Sequence, residues 1–372
     1  MKSPELRLGT LPPIRVSPGT LVTVLLLAVI MYPALSAGGR TDPGAAVLLA
    51  VGIGLFMIVS VLVHEVAHAV VARAFGGRVD HIALTLWGGH TQYRAGRMSA
   101  LGSVLISLAG PASNALLALL ATAAVPLTAP GGAAATFWSF SAWLNIALAL
   151  FNLLPGLPMD GGRALESLLG AVLRDPLRGT RVTAWIGRAI AVAVVALPLW
   201  RIMRSGGAGS VSLLTLVWAM LIAGMLWQGA SRALEGARVQ QRVRALDAAA
   251  LARPMRVVPP ELPLAELDSG ADYDDVLVLE AGGRSPGHLG RAHRIQAEAA
   301  AAVPAPRRAE TPVSAVTGPM GEVVALPQTL RGDDLVSAML SRPAPVYLVM
   351  GADGRPLGVI MSAEVNALLR GR

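Results

Sequence analysis

Hydrophobic and polar positions along this chain fall into long apolar runs with short polar breaks, and the pattern changes after residue 230. Apolar runs occupy about 20–35, 45–75, 100–127, 134–154, 182–200 and 211–228. A helix needs about 20 predominantly apolar residues to cross a bilayer, so the runs predict a mainly α bundle of about six spans. The stretch 79–93 breaks the pattern, because it partly alternates and contains Gly88-Gly89. It predicts a short re-entrant hairpin, which must be buried in protein or line a wet cavity. Residues 1–19 form a polar lead, and 163–179 a polar or interfacial segment. Residues 231–253 are Ala/Arg-rich with a helical pattern, which predicts a juxtamembrane linker helix. Residues 254–372 carry short strand-like runs at 275–279 and 346–350, each followed by Gly-rich turns, as in a soluble α/β domain.

Composition supports this division. Hydrophobic residues make up 54% of the 372 and charged residues only 15%, where a soluble domain carries about 25%. The net charge of +8 comes mostly from Arg residues beside the apolar runs. They form no basic stripe, which argues for a lipid bilayer and against nucleic acid as partner. Arg73, Arg78, Arg94 and Arg97 cluster after the second run and place that loop in the cytoplasm. Six spans then put both termini in the cytoplasm of a multi-pass protein of the inner (plasma) membrane. Arg201 and Arg204 fall on the outer side and depart mildly from this rule. Residues 34–37 read as a signal-peptidase site, and cleavage there would leave the later topology unchanged. The chain has no Cys, so thiolate metal sites and disulfides are excluded.

The second run contains His64-Glu65-Val66-Ala67-His68, an H-E-x-x-H pattern. On a helix, residues four apart share a face, so His64 and His68 can hold one metal ion. Glu65 can then reach a water at the metal and act as general base. A catalytic zinc site uses three protein ligands and keeps one position open. Asp160 is the choice for the third ligand, because the helix-breaking stretch Pro155-Gly156-Leu157-Pro158-Met159-Asp160-Gly161-Gly162 can aim its carboxylate inward. Asp80, His81 and His90 are the rivals, nearer in sequence. Gly110-Pro111 in the third run predicts a kink. Asn114, just beyond, is either a structural hydrogen bonder or a site residue. Arg188, inside the fifth run, either snorkels or lines a wet cavity.

The H-E-x-x-H pattern, Gly110-Pro111-x-x-Asn114, and Asn152-x-x-Pro155-x-x-Pro158-x-Asp160-Gly161-Gly162 together resemble the site-2 proteases, a family of intramembrane zinc metalloproteases. The resemblance covers about residues 20–230. It implies one zinc per chain bound by His64, His68 and Asp160, with Glu65 activating water. It implies that Asn152 helps hold the substrate strand or the oxyanion. The substrate so implied is a single-span membrane protein, such as an anti-sigma factor or another membrane-tethered regulator.

The C-terminal part repeats the order strand, turn, strand, helix, and resembles a tandem pair of CBS modules at about 254–308 and 309–370. Such pairs bind adenine nucleotides, regulate the attached domain and can dimerise. At the positions matching the nucleotide-binding pattern this chain has Met361 and Glu364 in the second module, and His293 in the first. That departure sets nucleotide binding against a structural or dimerising role. Two other classes fit parts of the sequence. A CBS-regulated channel or transporter would explain the spans and the tail, but not the metal motif. A catalytically inactive membrane-binding homologue would leave the intact Glu65 without purpose.

Overall fold

The structure is a computed structural model that describes residues 5–6, 12–36, 42–85, 88–94, 98–204, 213–267, 272–282 and 288–371. The chain divides into two compact units, Met1–Ala237 and Arg238–Arg372.

In the first unit the order is β1 (Glu5–Leu6), β2 (Ile14–Val16), α1 (Gly19–Ser36), α2 (Pro43–Ala74), β3 (Arg78–Thr85), β4 (Gly88–Arg94), α3 (Ala100–Ala124), α4 (Ala133–Asn152), α5 (Asp160–Val172), α6 (Pro176–Arg204) and α7 (Leu213–Arg244). Among the described residues, α1, α2, α3 with the 3-10 turn after it, α4 and α6 are long and apolar enough to cross a membrane. The sixth expected run begins outside the described residues, and its remainder is the first half of α7. Ala37, the last residue of the signal-peptidase-like pattern, and Arg97 also lie outside them.

Local chemistry sets the helix ends. Asp42 caps α2 by accepting from the backbone N–H groups of Gly44 and Ala45, and Pro43 occupies the first turn, where its missing N–H costs nothing. At the other end Gly76 takes a left-handed φ of 81° and turns the chain into β3. Helix α3 runs through Gly110-Pro111 without ending. In α6, Arg188 is accommodated by aromatic faces. Its guanidinium carbon lies 4.9 Å from the Trp185 ring centre and 4.7 Å from that of Trp227, and its Nη2 donates to Ser231 Oγ at 3.0 Å.

The hairpin is present and belongs to a larger sheet. Strands β3 and β4 pair antiparallel, with Ile82 opposite Thr91 and Ala83 opposite His90, and Gly88-Gly89 falls inside β4, while residues 86–87 lie outside the described residues. The polar lead expected at 1–19 is more structured than its composition suggests. Strand β2 pairs parallel to β3, with Ile14 opposite Ile82, giving the order β1-β2-β3-β4. Ile14 and Ile82 are buried together against Ala69 of α2. A strand of three residues is too short for alternation to register in sequence. Strand β4 is left at the edge of this sheet.

The second unit holds α8 (Ala248–Leu251), β5 (Arg256–Val258), β6 (Val276–Ala281), β7 (His288–Ile295), α9 (Ala297–Ala301), β8 (Thr317–Pro327), α10 (Gly332–Ser341), β9 (Val346–Met350), β10 (Pro356–Met361) and α11 (Ser362–Arg370). Its sheet has the order β10-β9-β8-β7-β6-β5. Strand directions repeat: β5 is parallel to β6 and β6 antiparallel to β7, as β8 is parallel to β9 and β9 antiparallel to β10. The second repeat has a full helix, α10, between its parallel strands, where the described residues of the first form 3-10 turns. Leu246 and Ala248, from the stretch expected as a linker, pack with Leu326, Tyr347 and Ile360 in the core of this unit.

Candidate metal centre

Helices α2 and α5 bring three ligand-type side chains together. His64 and His68 project from one face of α2, and both are buried along with Glu65. Asp160 opens α5. It reaches the site because Pro155 and Pro158 prevent α4 from continuing through the loop. The start of α5 also lies so close to that loop that a Cβ on Gly162 would come within 2.4 Å of the Gly156 backbone. The ligand atoms of His64, His68 and Asp160 all lie within 4.8 Å of one another.

The donor chemistry fits a cation. His64 Nε2 is 3.1 Å from His68 Nε2, and Asp160 Oδ2 is 3.0 Å from the first and 3.3 Å from the second. Each ring's other nitrogen faces an acceptor: His64 Nδ1 donates to Asn114 Oδ1 at 2.5 Å, and His68 Nδ1 to the Ile106 carbonyl at 2.6 Å. With both Nδ1 atoms protonated, two nitrogen lone pairs and a carboxylate oxygen converge on one point. Three acceptors in contact repel unless a cation lies among them. Tetrahedral zinc with bonds of about 2.0–2.1 Å holds its ligand atoms roughly 3.3 Å apart, close to the separations seen. Gly110 of α3 keeps this point clear, since a Cβ there would lie 2.4 Å from His68 Nε2 and 2.5 Å from His64 Nε2.

The rivals for the third position sit elsewhere. Asp80 is bound by Arg94 across the hairpin, with Oδ1 2.9 Å from Nη2, and this hydrogen bond lowers its pKa. His81 and His90 stand ring to ring on the sheet, 6.2 Å between centres. Neither joins the His64–His68–Asp160 cluster, although His90 lines the cavity in front of it.

That cavity is roughly 200 Å³ and is bordered by Glu65, Thr91, Tyr93, Ser107, Asn152 and Arg163 beside the three ligand-type residues. Glu65 faces β4. Thr91 Oγ donates to Glu65 Oε2 at 2.7 Å, and a Cβ on Gly89 would be 2.5 Å from Glu65 Cγ. Asn152, at the end of α4, donates its Nδ2 to the Leu148 carbonyl at 3.0 Å. A second cavity, of about 180 Å³, adjoins Glu65, Gly89 and Asn152 and is closed by Leu148, Phe151, Met159 and Met225. Sequence reasoning missed Thr91, since nothing local links it to Glu65 twenty-six residues earlier. It also missed Asn145, a buried Asn in α4 whose presence in an apolar span was itself a signal.

The chain is similar to known proteins. The M50B-like peptidase family model matches residues 21–155, and the peptidase family M50 model matches 127–196. The chain is 36% identical over 181 residues to zinc metalloprotease Rip3 of Mycobacterium tuberculosis, covering 47% of this chain and 46% of that one. It thus spans about half the length of that relative. It is also 36% identical over 146 residues to zinc metalloprotease YwhC of Bacillus subtilis, covering 30% of this chain and 67% of that one. The solved site-2 protease from Methanocaldococcus jannaschii aligns with a TM-score of 0.43 and 21% identity, over 62% of this chain and 95% of that one. A buried His-Glu-x-x-His helix, an aspartate delivered by a broken helix, the two family models and the likeness to YwhC lead to one conclusion: the chain belongs to peptidase family M50, the site-2 protease family.

Proposed function

We propose that this chain is an intramembrane zinc endopeptidase that cuts a single-span, membrane-tethered regulatory protein in or near its membrane segment. The convergence of His64 Nε2, His68 Nε2 and Asp160 Oδ2 on one point carries this reading. Zinc held by those three residues supplies Lewis acidity and lowers the pKa of water toward neutrality. Glu65 is the general base. With Oε2 held by Thr91, Oε1 takes a proton from the attacking water. The water oxygen bonds to the scissile carbonyl carbon, the C–N bond breaks, and Glu65 returns the proton to the departing amide nitrogen.

The substrate enters as a strand. A helical carbonyl is already hydrogen-bonded, so the segment to be cut must unwind. Edge strand β4 offers unpaired backbone groups beside Glu65, and a substrate strand adds to it there. Asn152, lining both cavities, holds the strand or the developing oxyanion. The apolar cavity of Leu148, Phe151 and Met225 takes a hydrophobic side chain next to the scissile bond. Both termini lie in the cytoplasm of the plasma-membrane protein.

The second unit serves as a CBS-like pair in a structural or dimerising role. At the positions matching the nucleotide pattern, Glu364 is paired with Arg253 at 3.0 Å and His293 with Glu280 at 3.2 Å, which argues against adenine nucleotide there.

The test uses the full chain in detergent, its zinc content, and cleavage of a fluorogenic library of single-span transmembrane peptides. The expected result is one zinc per chain and cleavage by the wild type, with cleavage absent in Glu65→Gln. A zinc-free wild type, or a Glu65→Gln variant that turns over within tenfold of the wild-type rate, overturns the reading.

A further inference from the structure

Behind the metal centre lies a line of fully buried polar side chains that the reaction does not touch. Asn114 of α3, Asn145 of α4 and Ser60 of α2 are each 0% exposed. Their hydrogen bonds have a direction, and it can be followed from its fixed end. Asn145 Nδ2 donates to the Ser141 carbonyl at 2.9 Å, and a carbonyl can only accept. The same Nδ2 donates to Ser60 Oγ at 3.1 Å, whose own hydrogen goes to the Phe56 carbonyl at 3.0 Å. Two backbone carbonyls therefore anchor the amide of Asn145 with its Oδ1 toward Asn114. Oδ1 accepts from Asn114 Nδ2 at 3.0 Å. Asn114 is left with its Oδ1 facing His64 Nδ1 at 2.5 Å. An acceptor there keeps the His64 proton on Nδ1 and leaves the Nε2 lone pair toward His68 and Asp160.

Without the far end, Asn114 would have two amide orientations available. The reversed one puts its NH2 against His64 Nδ1, moves the imidazole proton to Nε2 and aims N–H at the metal position. Asn145 forbids it, because the reversed carbonyl would meet Asn145 Oδ1. We propose that Asn145 is a positioning residue for the metal centre, setting through Asn114 which nitrogen of His64 is free to bind metal. The proposal rests on the zinc-site reading above. It gives α4 a part in positioning the metal ligands, although α4 contributes no ligand to the cluster.

Zinc affinity of the full chain in detergent, measured by competition with a chromophoric chelator, tests it. Removing an outer hydrogen-bond partner of a metal-binding histidine costs about 10–100-fold in affinity, and Asn145→Leu is expected to lose that much. In an Asn114→Asp background the same change is expected to cost little, because a carboxylate accepts with either oxygen and needs no orienting. Equal losses in both backgrounds would make Asn145 a packing residue and overturn the proposal, as would unchanged affinity in Asn145→Leu. The zinc-free wild type gives a check that needs no folded Asn145 variant. Its 15N histidine spectrum at alkaline pH, where the ring carries one proton, with the His64 signals identified by their loss in His64→Gln, is expected to show that proton on Nδ1. An Nε2-protonated His64 overturns the proposal. A wild type that binds no zinc refutes the metalloprotease reading itself, whereas tight zinc in both wild type and Asn145→Leu refutes only the role of Asn145.

Discussion

The two units of this chain use polar residues in opposite ways. Around His64, His68 and Asp160, the hydrogen bonds occupy every far nitrogen and leave the near atoms pointing at one another. In the second unit, Glu364 of α11 is paired with Arg253, and His293 of β7 with Glu280 of β6. The first arrangement is stable only when something fills the gap, and the second is complete as it stands. Convergent acceptors mark a binding site, and satisfied ion pairs at a surface mark structure.

The largest effects should come from the convergent site. Asp160→Ala removes the only acid of the cluster and is expected to abolish both zinc retention and cleavage, read by metal analysis and peptide turnover. Full zinc in that variant would separate metal binding from Asp160 and return attention to His90 in the same cavity. Glu65→Gln should retain zinc, since Glu65 lies outside the ligand cluster, while cleavage falls by at least about 10²–10⁴-fold, the scale of general acid–base catalysis. Gly110→Ala sharpens the comparison further, because it changes no polar group. Its methyl would sit 2.4–2.5 Å from both histidine Nε2 atoms, so zinc should be lost with His64, His68 and Asp160 all in place. Zinc bound normally by Gly110→Ala would mean that the metal position is not the point where the three atoms converge.

A smaller effect is expected at Thr91. Its hydroxyl holds one oxygen of Glu65 from the edge strand. A hydrogen bond to a charged group contributes about 1.5–3 kcal/mol, so Thr91→Val is expected to lower kcat by roughly 10–100-fold with zinc unchanged. Thr91→Ser keeps the hydroxyl and should restore most of the rate. Failure of Ser to rescue would assign the loss to the strand's packing on α2.

Much of this was legible in the sequence, for reasons that particular residues make plain. Long apolar runs gave α1 to α4 and α6 because a span must satisfy its own backbone and so reads as one block. His64 and His68 were legible because helical spacing is local. Asp160 was legible because Pro155, Pro158 and the glycines announce a broken helix whatever the tertiary structure. Strand β2 was not, because three residues beside two prolines carry no period and Ile14 is fixed only by Ile82 and Ala69 from distant segments. The direction of the Asn145–Asn114–His64 line was equally hidden, since it depends on which ends of two amides meet across three helices. Ion pairs such as Glu364–Arg253 lie more than a hundred residues apart and have no pattern that composition reveals.

The smallest effect on cleavage should come from the second unit, and it tests whether that unit is complete without a ligand. Tyr347 is its largest fully buried side chain, and its hydroxyl accepts the Ala344 backbone N–H at 2.9 Å and lies 3.1 Å from the carbonyls of Met339 and Arg342. Tyr347→Phe strands the buried Ala344 N–H between α10 and β9, at a cost of about 1–3 kcal/mol. Calorimetry of the full chain should show a lowered transition for this unit, while cleavage and zinc content stay at wild-type values. Titration of the wild type with ATP, ADP and AMP should give no binding heat and leave the cleavage rate unchanged. Binding heat that vanishes in Glu364→Ala would show that the Arg253 pair opens for a nucleotide. The second unit would then be a site held shut, and the contrast with the metal centre would be one of occupancy only.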